Sequence, residues 1–394
     1  MRQHYDVVVI GAGIHGAGVA QAAAAAGYST LVLEQSEIAA GSSSRSSKLI
    51  HGGLRYLETG QLRLVRESLH ERATLLRIAP ELVHLKHFFI PVYRHTRRRP
   101  WQLRIGLSAY AVLAGLGPTA RFGTVPRRDW GNLDGLDTTG LQAVYWYQDA
   151  QTDDRLLSQA VIRSAQQLGA ELLLPACFTG AARGAGNVSV RYQHGGSEHE
   201  CNATVLVNAA GPWAGPAARL ITPAMPVPSL ELVQGSHIVL PGPITKGVYY
   251  VESPRDGRAI FIMPWHDGQA LIGTTEVRFH GDPAQVHPSS AEIHYLLGVA
   301  RHYFPRFRES AAAEPSASFA GLRVLPAGSG HAFYRSRETL LIMDDAAHPR
   351  VLTIYGGKLT TWRAVAQRAI GLLQPGLPQR PMRARTDELM LSPT

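Results

Sequence analysis

A glycine fingerprint and a few charged side chains carry most of the chemistry open to this sequence. Gly11-Ala-Gly13-Ile-His-Gly16 follows a valine-rich run, Tyr5–Ile10, and leads into an alanine-rich stretch, Val19–Gly27. Thr30-Leu-Val-Leu-Glu34 comes next and ends in an acid. G-x-G-x-x-G between a strand and a helix, with an acid closing the next strand, is the pattern of a dinucleotide site. Gly11 permits the tight turn, Gly13 lets the backbone approach a pyrophosphate, and Gly16 lets helix and strand pack closely. The helix N-terminus offers N–H groups and a positive dipole end to phosphate. Glu34 can accept hydrogen bonds from ribose hydroxyls. Spacing alone does not separate NAD from FAD.

A second set of residues suits an anionic substrate. Arg55, Arg323 and Lys358 each sit beside glycine, in Gly52-Gly53-Leu-Arg55, Gly321-Leu-Arg323 and Gly356-Gly-Lys358. Such cations more often make surface ion pairs, but glycine allows close packing that can turn them inward. Arginine forks two hydrogen bonds to one anion, and lysine adds a compact charge. His237, in Gly235-Ser-His237-Ile, falls on an expected strand. Its ordinary pKa suits removal of a hydroxyl proton; a structural histidine bonded within a sheet is the alternative. None of the 17 histidines has metal-ligand spacing, and no metal is expected.

The segment from Ala39 to Leu57 is small, polar and glycine-rich, broken by Leu49-Ile50 and Leu54–Leu57. Such a loop can pass close to a flat ring and donate backbone hydrogen bonds, which favours FAD. Within it, Ser46-Ser-Lys-Leu-Ile-His-Gly-Gly-Leu-Arg-Tyr-Leu-Glu58 resembles the signature of FAD-dependent glycerol-3-phosphate dehydrogenases. The resemblance continues, in family order, through Leu64–Arg72, Leu76–Pro80, Gln234-Gly-Ser-His237, Leu271–Glu276, Gly281-Asp-Pro283, Gly321-Leu-Arg323 and Tyr355–Arg363. It covers essentially residues 1–375.

The resemblance implies oxidation of sn-glycerol 3-phosphate to dihydroxyacetone phosphate, with hydride passing from C2 to flavin N5 and electrons on to quinone or another acceptor. It implies substrate binding by Arg55, Tyr56, Thr275, Arg323 and Lys358, with His237, Arg323 and Lys358 as the catalytic set. Non-covalent FAD is expected against Gly11, Gly13, Ile14, His15, Gly16, Glu34, Gln35, Ser43, Ser44, Ser46, Ser47, Lys48, Leu49, His51, Gly52 and Gly53. Ala210, Gly211 and Trp213, in a second flavin motif at 203–214, join them, as do Gly357, Lys358, Leu359 and Thr360 at the start of the last long helix. An oxidase or dehydrogenase of another 2-hydroxy acid or an amino acid would use a similar arginine clamp, and a non-catalytic FAD-binding protein is a further alternative.

These residues need a scaffold. The expected fold is α/β: a Rossmann-like FAD-binding domain of the two-dinucleotide-binding flavoprotein type, with an interleaved α+β substrate domain on an antiparallel sheet. Residues 1–84, 146–224 and 321–375 are assigned to the first, 85–145 and 225–320 to the second. Residues 59–79 have a helical apolar stripe. A second such stripe, Leu156, Leu157, Ala160, Val161 and Ala165, begins after Asp153. Many family members carry a helical C-terminal domain after the Gly-Gly-Lys segment. Here 36 residues follow Lys358, and 376–394 is expected to be a short, partly ordered tail without that domain.

Composition narrows the partners. With 394 residues, 45% hydrophobic and 18% charged, the chain suits about two domains and is no disordered protein. Two cysteines cannot form a disulfide framework, and both are read as reduced and buried. The net charge of +9 favours anionic partners, here a small phosphorylated substrate. No nucleic-acid module is visible. The run Arg94-His-Thr-Arg-Arg-Arg99 precedes an uncharged stretch, Ile105–Gly117, too short to span a bilayer. That stretch is read as a buried helix or one lying on a membrane surface. A cytoplasmic protein is expected, with peripheral attachment to the inner face of the cell membrane through anionic lipid as the alternative. No oligomeric state is implied.

Overall fold

The first valine run forms the strand His4–Ile10, buried from Tyr5 onward. It lies parallel to Thr30–Leu33 on one side and to Ser197–Asn208 on the other. A strand covered on both faces needs no polar alternation, so it reads as an unbroken apolar run. The computed structural model describes residues 2–58, 60–308, 314–327 and 339–393. Within them this strand belongs to a nine-stranded sheet that also holds Cys177–Arg183, Val188–His194 and Val351–Tyr355.

The helices are α1 (Ile14–Ala25), α2 (Leu62–Ile78), α3 (Pro100–Leu113), α4 (Asp154–Gln167), α5 (Ala214–Arg219), α6 (Ser290–Tyr303) and α7 (Trp362–Leu373). Helix α1 is buried almost throughout. Its small side chains let α4 and α7 pack directly on it, in a core shared with Val7, Val9, Leu157 and Val365. Asp153 caps α4, accepting from Arg155 N at 2.9 Å and Leu156 N at 3.1 Å. Leu156, expected to face inward, is exposed. It lies one residue off the buried stripe of Leu157, Ala160, Val161, Ser164 and Ala165, about 100° around the helix.

The second sheet has ten strands. Long antiparallel strands Val83–Tyr93 and Leu141–Thr152 form one part, and Leu230–Pro241, Ala259–Trp265, Gln269–Gly273 and Ala317–Pro326 the other. One parallel pairing, Val248–Glu252 with Val83–Tyr93, joins the two parts. The expected domain limits therefore shift: residues 146–152 and 321–326, and the short strand Leu49–Ile50, belong to this sheet.

Two further expectations change. Residues 376–393 are a packed strap rather than a partly ordered tail. Leu391 is buried against the α1–α4–α7 core, its N–H donates to Ile78 O at 2.7 Å, and Arg380 pairs with Asp6 at 3.0 Å. Helix α3 is buried only along Leu103, Leu107, Tyr110 and Ala111; Trp101, Ile105, Val112 and, just beyond it, Leu116 are exposed.

Helix α2 is tied to the second sheet by a buried ion pair, Arg72 with Asp149, each 1% exposed. Asp149 also accepts from Tyr110 OH at 2.8 Å and from Gly52 N at 3.3 Å. The pair thus fixes the backbone three residues before Arg55. Removing one partner strands a buried charge, so Arg72→Met should cost about 3–5 kcal/mol of unfolding free energy. Urea denaturation of that variant and of Arg72→Met with Asp149→Asn tests this, the second change restoring part of the loss.

Candidate active site

Between the two sheets lies a cavity of about 920 Å³, large for a single small molecule. The elements that wall it arrive from sequence positions far apart: the turn before α1, the serine-rich segment 40–56, residues 209–217, the strand edges at 235–237 and 321–325, and the loop opening α7.

At one end stands the dinucleotide pattern. Helix α1 opens from Gly13 with no acidic residue in its first turn to neutralise its positive end. A side chain on Gly16 would sit 1.9 Å from Gly11 O, so the turn closes only with glycine there. Glu34 is buried. Its Oε2 accepts from Ala12 N at 2.8 Å and its Oε1 from Ser36 N at 2.9 Å and Ser36 Oγ at 3.3 Å, which fixes the carboxylate at the cavity edge with a lone pair left on Oε2. Ser43 Oγ accepts from Ile14 N at 2.9 Å and so ties the serine segment to the helix start. His15 lines the cavity with its Nδ1 buried and without a hydrogen-bond partner among the described residues; burial pushes its pKa down to about 4. Its ring fills the space that a side chain on Gly357 would need, so the N-terminal ends of α1 and α7 meet at this point.

The other end gathers cations. Lys358 Nζ lies 3.8 Å from the centroid of the Tyr56 ring, and Arg55 Cζ lies 5.7 Å from it. Tyr56 is thus a buried aromatic plate shared by two positive groups. Arg323 Nη1 reaches Glu276 Oε1 at 3.2 Å and its Nη2 donates to Thr274 Oγ1 at 3.1 Å. His237 is 1% exposed, stacked on Phe319 with ring centroids 4.9 Å apart, and its Nε2 lies 3.0 Å from Ser47 Oγ. Burial first, then the nearby charges of Arg323 and Lys48, hold its pKa well below the usual histidine value. The imidazole is therefore neutral at physiological pH.

Most of the expected residues meet at this cavity: Gly11, Gly13, Ile14, His15, Glu34, Gln35, Ser43, Ser46, Ser47, Leu49, His51, Gly53, Arg55, Tyr56, Ala210, Gly211, Trp213, His237, Arg323, Gly357, Lys358, Leu359 and Thr360 all line it. Gly16, Ser44, Lys48, Gly52 and Thr275 do not. Thr275 is turned away: its Oγ1 donates to Glu292 Oε1 at 2.6 Å and accepts from Ser236 N at 2.8 Å. Lys48 is spent on a buried ion pair with Asp154 and a bond to Ser44 O. Gly52 packs against Leu69 and Tyr110. These residues brace the wall rather than form it.

Sequence reasoning missed Arg45, Tyr250, Arg258 and Glu276, which all line the cavity. Arg258 donates to Glu276 O at 3.1 Å and pairs with Asp256 at 2.8 Å, so Glu276 organises two arginines at once. Glu276 stood in a matched motif, and its charge beside Arg323 was the available signal. Arg258 lies in a polar turn that resembles any surface loop. Cys177, expected to be buried, is exposed at the rim; Cys201 is buried, and its thiol is pushed up to about 11. Among the described residues no cluster could hold a metal ion.

Comparison with known proteins follows the same line. Residues 6–363 match the model of a family described as FAD dependent oxidoreductase. The aerobic glycerol-3-phosphate dehydrogenase of Escherichia coli (strain K12) is 37% identical over 379 residues, 94% of this chain and 73% of that one. The D-erythritol 1-phosphate dehydrogenase of Brucella abortus is 35% identical over 95% of this chain and 74% of that one. The structure of the glycerol-3-phosphate dehydrogenase from Bacillus halodurans complexed with FAD superposes with a TM-score of 0.74 at 26% identity, covering 99% of this chain and 68% of that one.

Proposed function

The chain belongs to the FAD-dependent oxidoreductase family, and from that premise we propose that it oxidises sn-glycerol 3-phosphate to dihydroxyacetone phosphate. One observation carries this reading. A dinucleotide-binding helix end and a cluster of cations, Arg55, Arg258, Arg323 and Lys358, wall the same cavity as a neutral histidine. FAD fits the donor set: the uncompensated N-terminus of α1 suits its diphosphate, Glu34 its ribose, and His15 Nδ1, without a partner among the described residues, is a polar group left for a ligand. When bound, FAD supplies a two-electron, hydride-accepting ring.

The protein residues do the rest. Arg323, already oriented by Glu276 and Thr274, forks onto the substrate phosphate. Arg55 and Lys358, both close to the Tyr56 ring, hold the polyol end and fix C2 for transfer. His237 takes the C2-hydroxyl proton as the hydride leaves C2, so the alcohol loses one hydrogen from carbon with its electron pair and one from oxygen as a proton, and becomes a ketone. The test is anaerobic: adding sn-glycerol 3-phosphate to the purified flavoprotein should bleach the flavin absorbance. A flavin that dithionite reduces and sn-glycerol 3-phosphate does not would overturn this reading.

For the acceptor side we propose contact with a bilayer surface. No helix among the described residues is long and apolar enough to cross a membrane. Helix α3 nonetheless exposes Trp101, Ile105 and Val112 beside the exposed Arg97, Arg99 and Arg104, an apolar face collared by positive charge. That arrangement suits shallow insertion into an anionic surface. The protein should co-sediment with anionic vesicles at low salt, and less so as salt rises. Trp101→Ser with Ile105→Ser should weaken that binding at least about tenfold, from the lost apolar burial. Unchanged binding would remove α3 from the contact.

A further inference from the structure

Arg55 and Lys358 meet at the Tyr56 ring, yet their segments lie far apart in sequence. One direct tie joins the segments: Thr360 Oγ1 accepts from His51 N at 3.1 Å and donates to His51 O at 3.3 Å. Behind that tie, both segments are held by helix α2. On the Arg55 side, Leu69 packs against Gly52, and Arg72 pairs with Asp149, which accepts from Gly52 N. On the Lys358 side, Glu71 pairs with Arg363, the second residue of α7. Arg363 Nε and Nη2 donate to the two carboxylate oxygens at 3.0 and 2.6 Å, and both residues are buried. The C-terminal strap closes this pair. Thr386 Oγ1 accepts from Arg363 Nη1 at 3.2 Å and from Gln367 Nε2 at 2.8 Å.

We propose that Glu71, with Thr386 behind it, is a positioning residue for the reaction, and that α2 is a crossbar that sets the distance between Lys358 and Arg55. The inference rests on the function proposed above, in which these two cations hold the polyol end. Glu71 and Arg72 are adjacent and point about 100° apart around the helix, so they face different neighbours. Their charges are opposite, and each meets an opposite charge. The fork of Arg363 onto Glu71 fixes direction as well as distance. Neither pair can slip, because a partner that left would strand a buried charge. Two anchor points on consecutive residues of one helix keep one spacing. Lys358 lies five residues before Arg363, with Thr360 and the fully buried Trp362 between them, so a shift of Arg363 reaches Lys358 through a short, packed segment. Glu71, Arg363 and Thr386 do not line the cavity, so their effect on substrate passes through Lys358.

A double-mutant cycle tests this, read by anaerobic flavin reduction with sn-glycerol 3-phosphate in FAD-loaded protein. Glu71→Gln keeps the shape and removes the charge. Thr386→Val is milder: it takes one acceptor from Arg363 and strands no ion. A displacement of about 1 Å at a reacting centre can cost about 10²-fold. Glu71→Gln should therefore lower kcat/KM at least about tenfold, and Thr386→Val about threefold, with FAD still bound. In a Lys358→Ala background each change should add less than about twofold, because the group it positions is gone. In an Arg323→Ala background each should keep its full effect, since Arg323 is held from the other sheet by Glu276 and Thr274. Equal losses in the two backgrounds would make Glu71 and Thr386 merely structural and overturn the proposal. So would parent-like rates in both single variants, or failure of either to hold FAD. Where Glu71→Gln does not fold, the Thr386→Val cycle decides alone. A parent whose flavin sn-glycerol 3-phosphate does not reduce would remove the proposed function and the crossbar with it, whereas equal losses in a reducible parent would remove only the crossbar.

Discussion

Replacing Arg323 by alanine should lower kcat/KM for sn-glycerol 3-phosphate about 10²–10³-fold, chiefly through KM, with FAD content unchanged. A hydrogen bond to a charged partner is worth about 1.5–3 kcal/mol. Two bonds from one guanidinium, taken in the lower half of that range because water competes at a partly open site, give about 3–4 kcal/mol, and each 1.4 kcal/mol is tenfold. Glu276 makes the loss larger than a missing contact: it is 8% exposed in its side chain and pairs with Arg323 at 3.2 Å. Without that partner, a carboxylate faces the incoming phosphate and repels it. Arg323→Ala with Glu276→Gln should therefore bind substrate better than Arg323→Ala alone. Arg323→Lys keeps the charge but not the fork, and should fall between parent and alanine. Anaerobic stopped-flow reduction across a substrate series reads these effects. A fall in kcat at constant KM would move Arg323 from binding to the chemical step.

The ease of reading the cofactor end and the difficulty of the substrate end have a common physical cause. Residues 5–34 form one local unit, strand, turn, helix and strand, whose spacing is set by backbone geometry, so Gly11, Gly13, Gly16 and Glu34 can be placed from sequence alone. The second sheet is assembled from distant pieces. Val83–Tyr93 is a long central strand, yet it carries Pro91 and charged or polar residues at several positions. Its neighbour Leu141–Thr152 lies 48 residues further on, counting from Tyr93 to Leu141, and nothing local announces the pairing. The packed course of 376–393 is invisible for the same reason: Leu391 and Arg380 are anchored by Ile78 and Asp6, far away in the chain.

At the site, motif membership located segments but not side-chain directions. Thr274 and Thr275 are adjacent in one matched motif. The first faces Arg323 and the cavity; the second faces Glu292 and the core beneath. Period-two alternation makes that split natural at a strand end, but which of the two faces inward depends on a register set by partners elsewhere. Lys48 shows the same limit. Its place in the serine segment suggested cofactor contact, while Asp154, the first residue of α4, claims its charge.

His237→Ala should slow anaerobic flavin reduction at saturating substrate by about 10²–10⁴-fold, the range for loss of a positioned general base. The wild-type pH profile separates this role from a structural one. Only neutral imidazole accepts a proton, and His237 is held neutral by burial and by the charges of Arg323 and Lys48. Its folded pKa lies below the ordinary value, so the reactive form persists as pH falls. The reduction rate at saturation should therefore stay level from pH 8 to pH 6, where a base with an ordinary pKa of about 6.5 would already have lost most of its neutral form. The substrate phosphate works against this, since an anion beside the ring raises its pKa, and Arg323 offsets that by neutralising the phosphate. Arg323→Ala should then move the inflection upward, into the measured range. Ser47→Ala, which removes the group 3.0 Å from Nε2, should leave that inflection in place and cost less rate than His237→Ala. If His237→Ala reduces its flavin as fast as the parent, the imidazole is a structural partner of Phe319 and Ser47, and the proton leaves by another route.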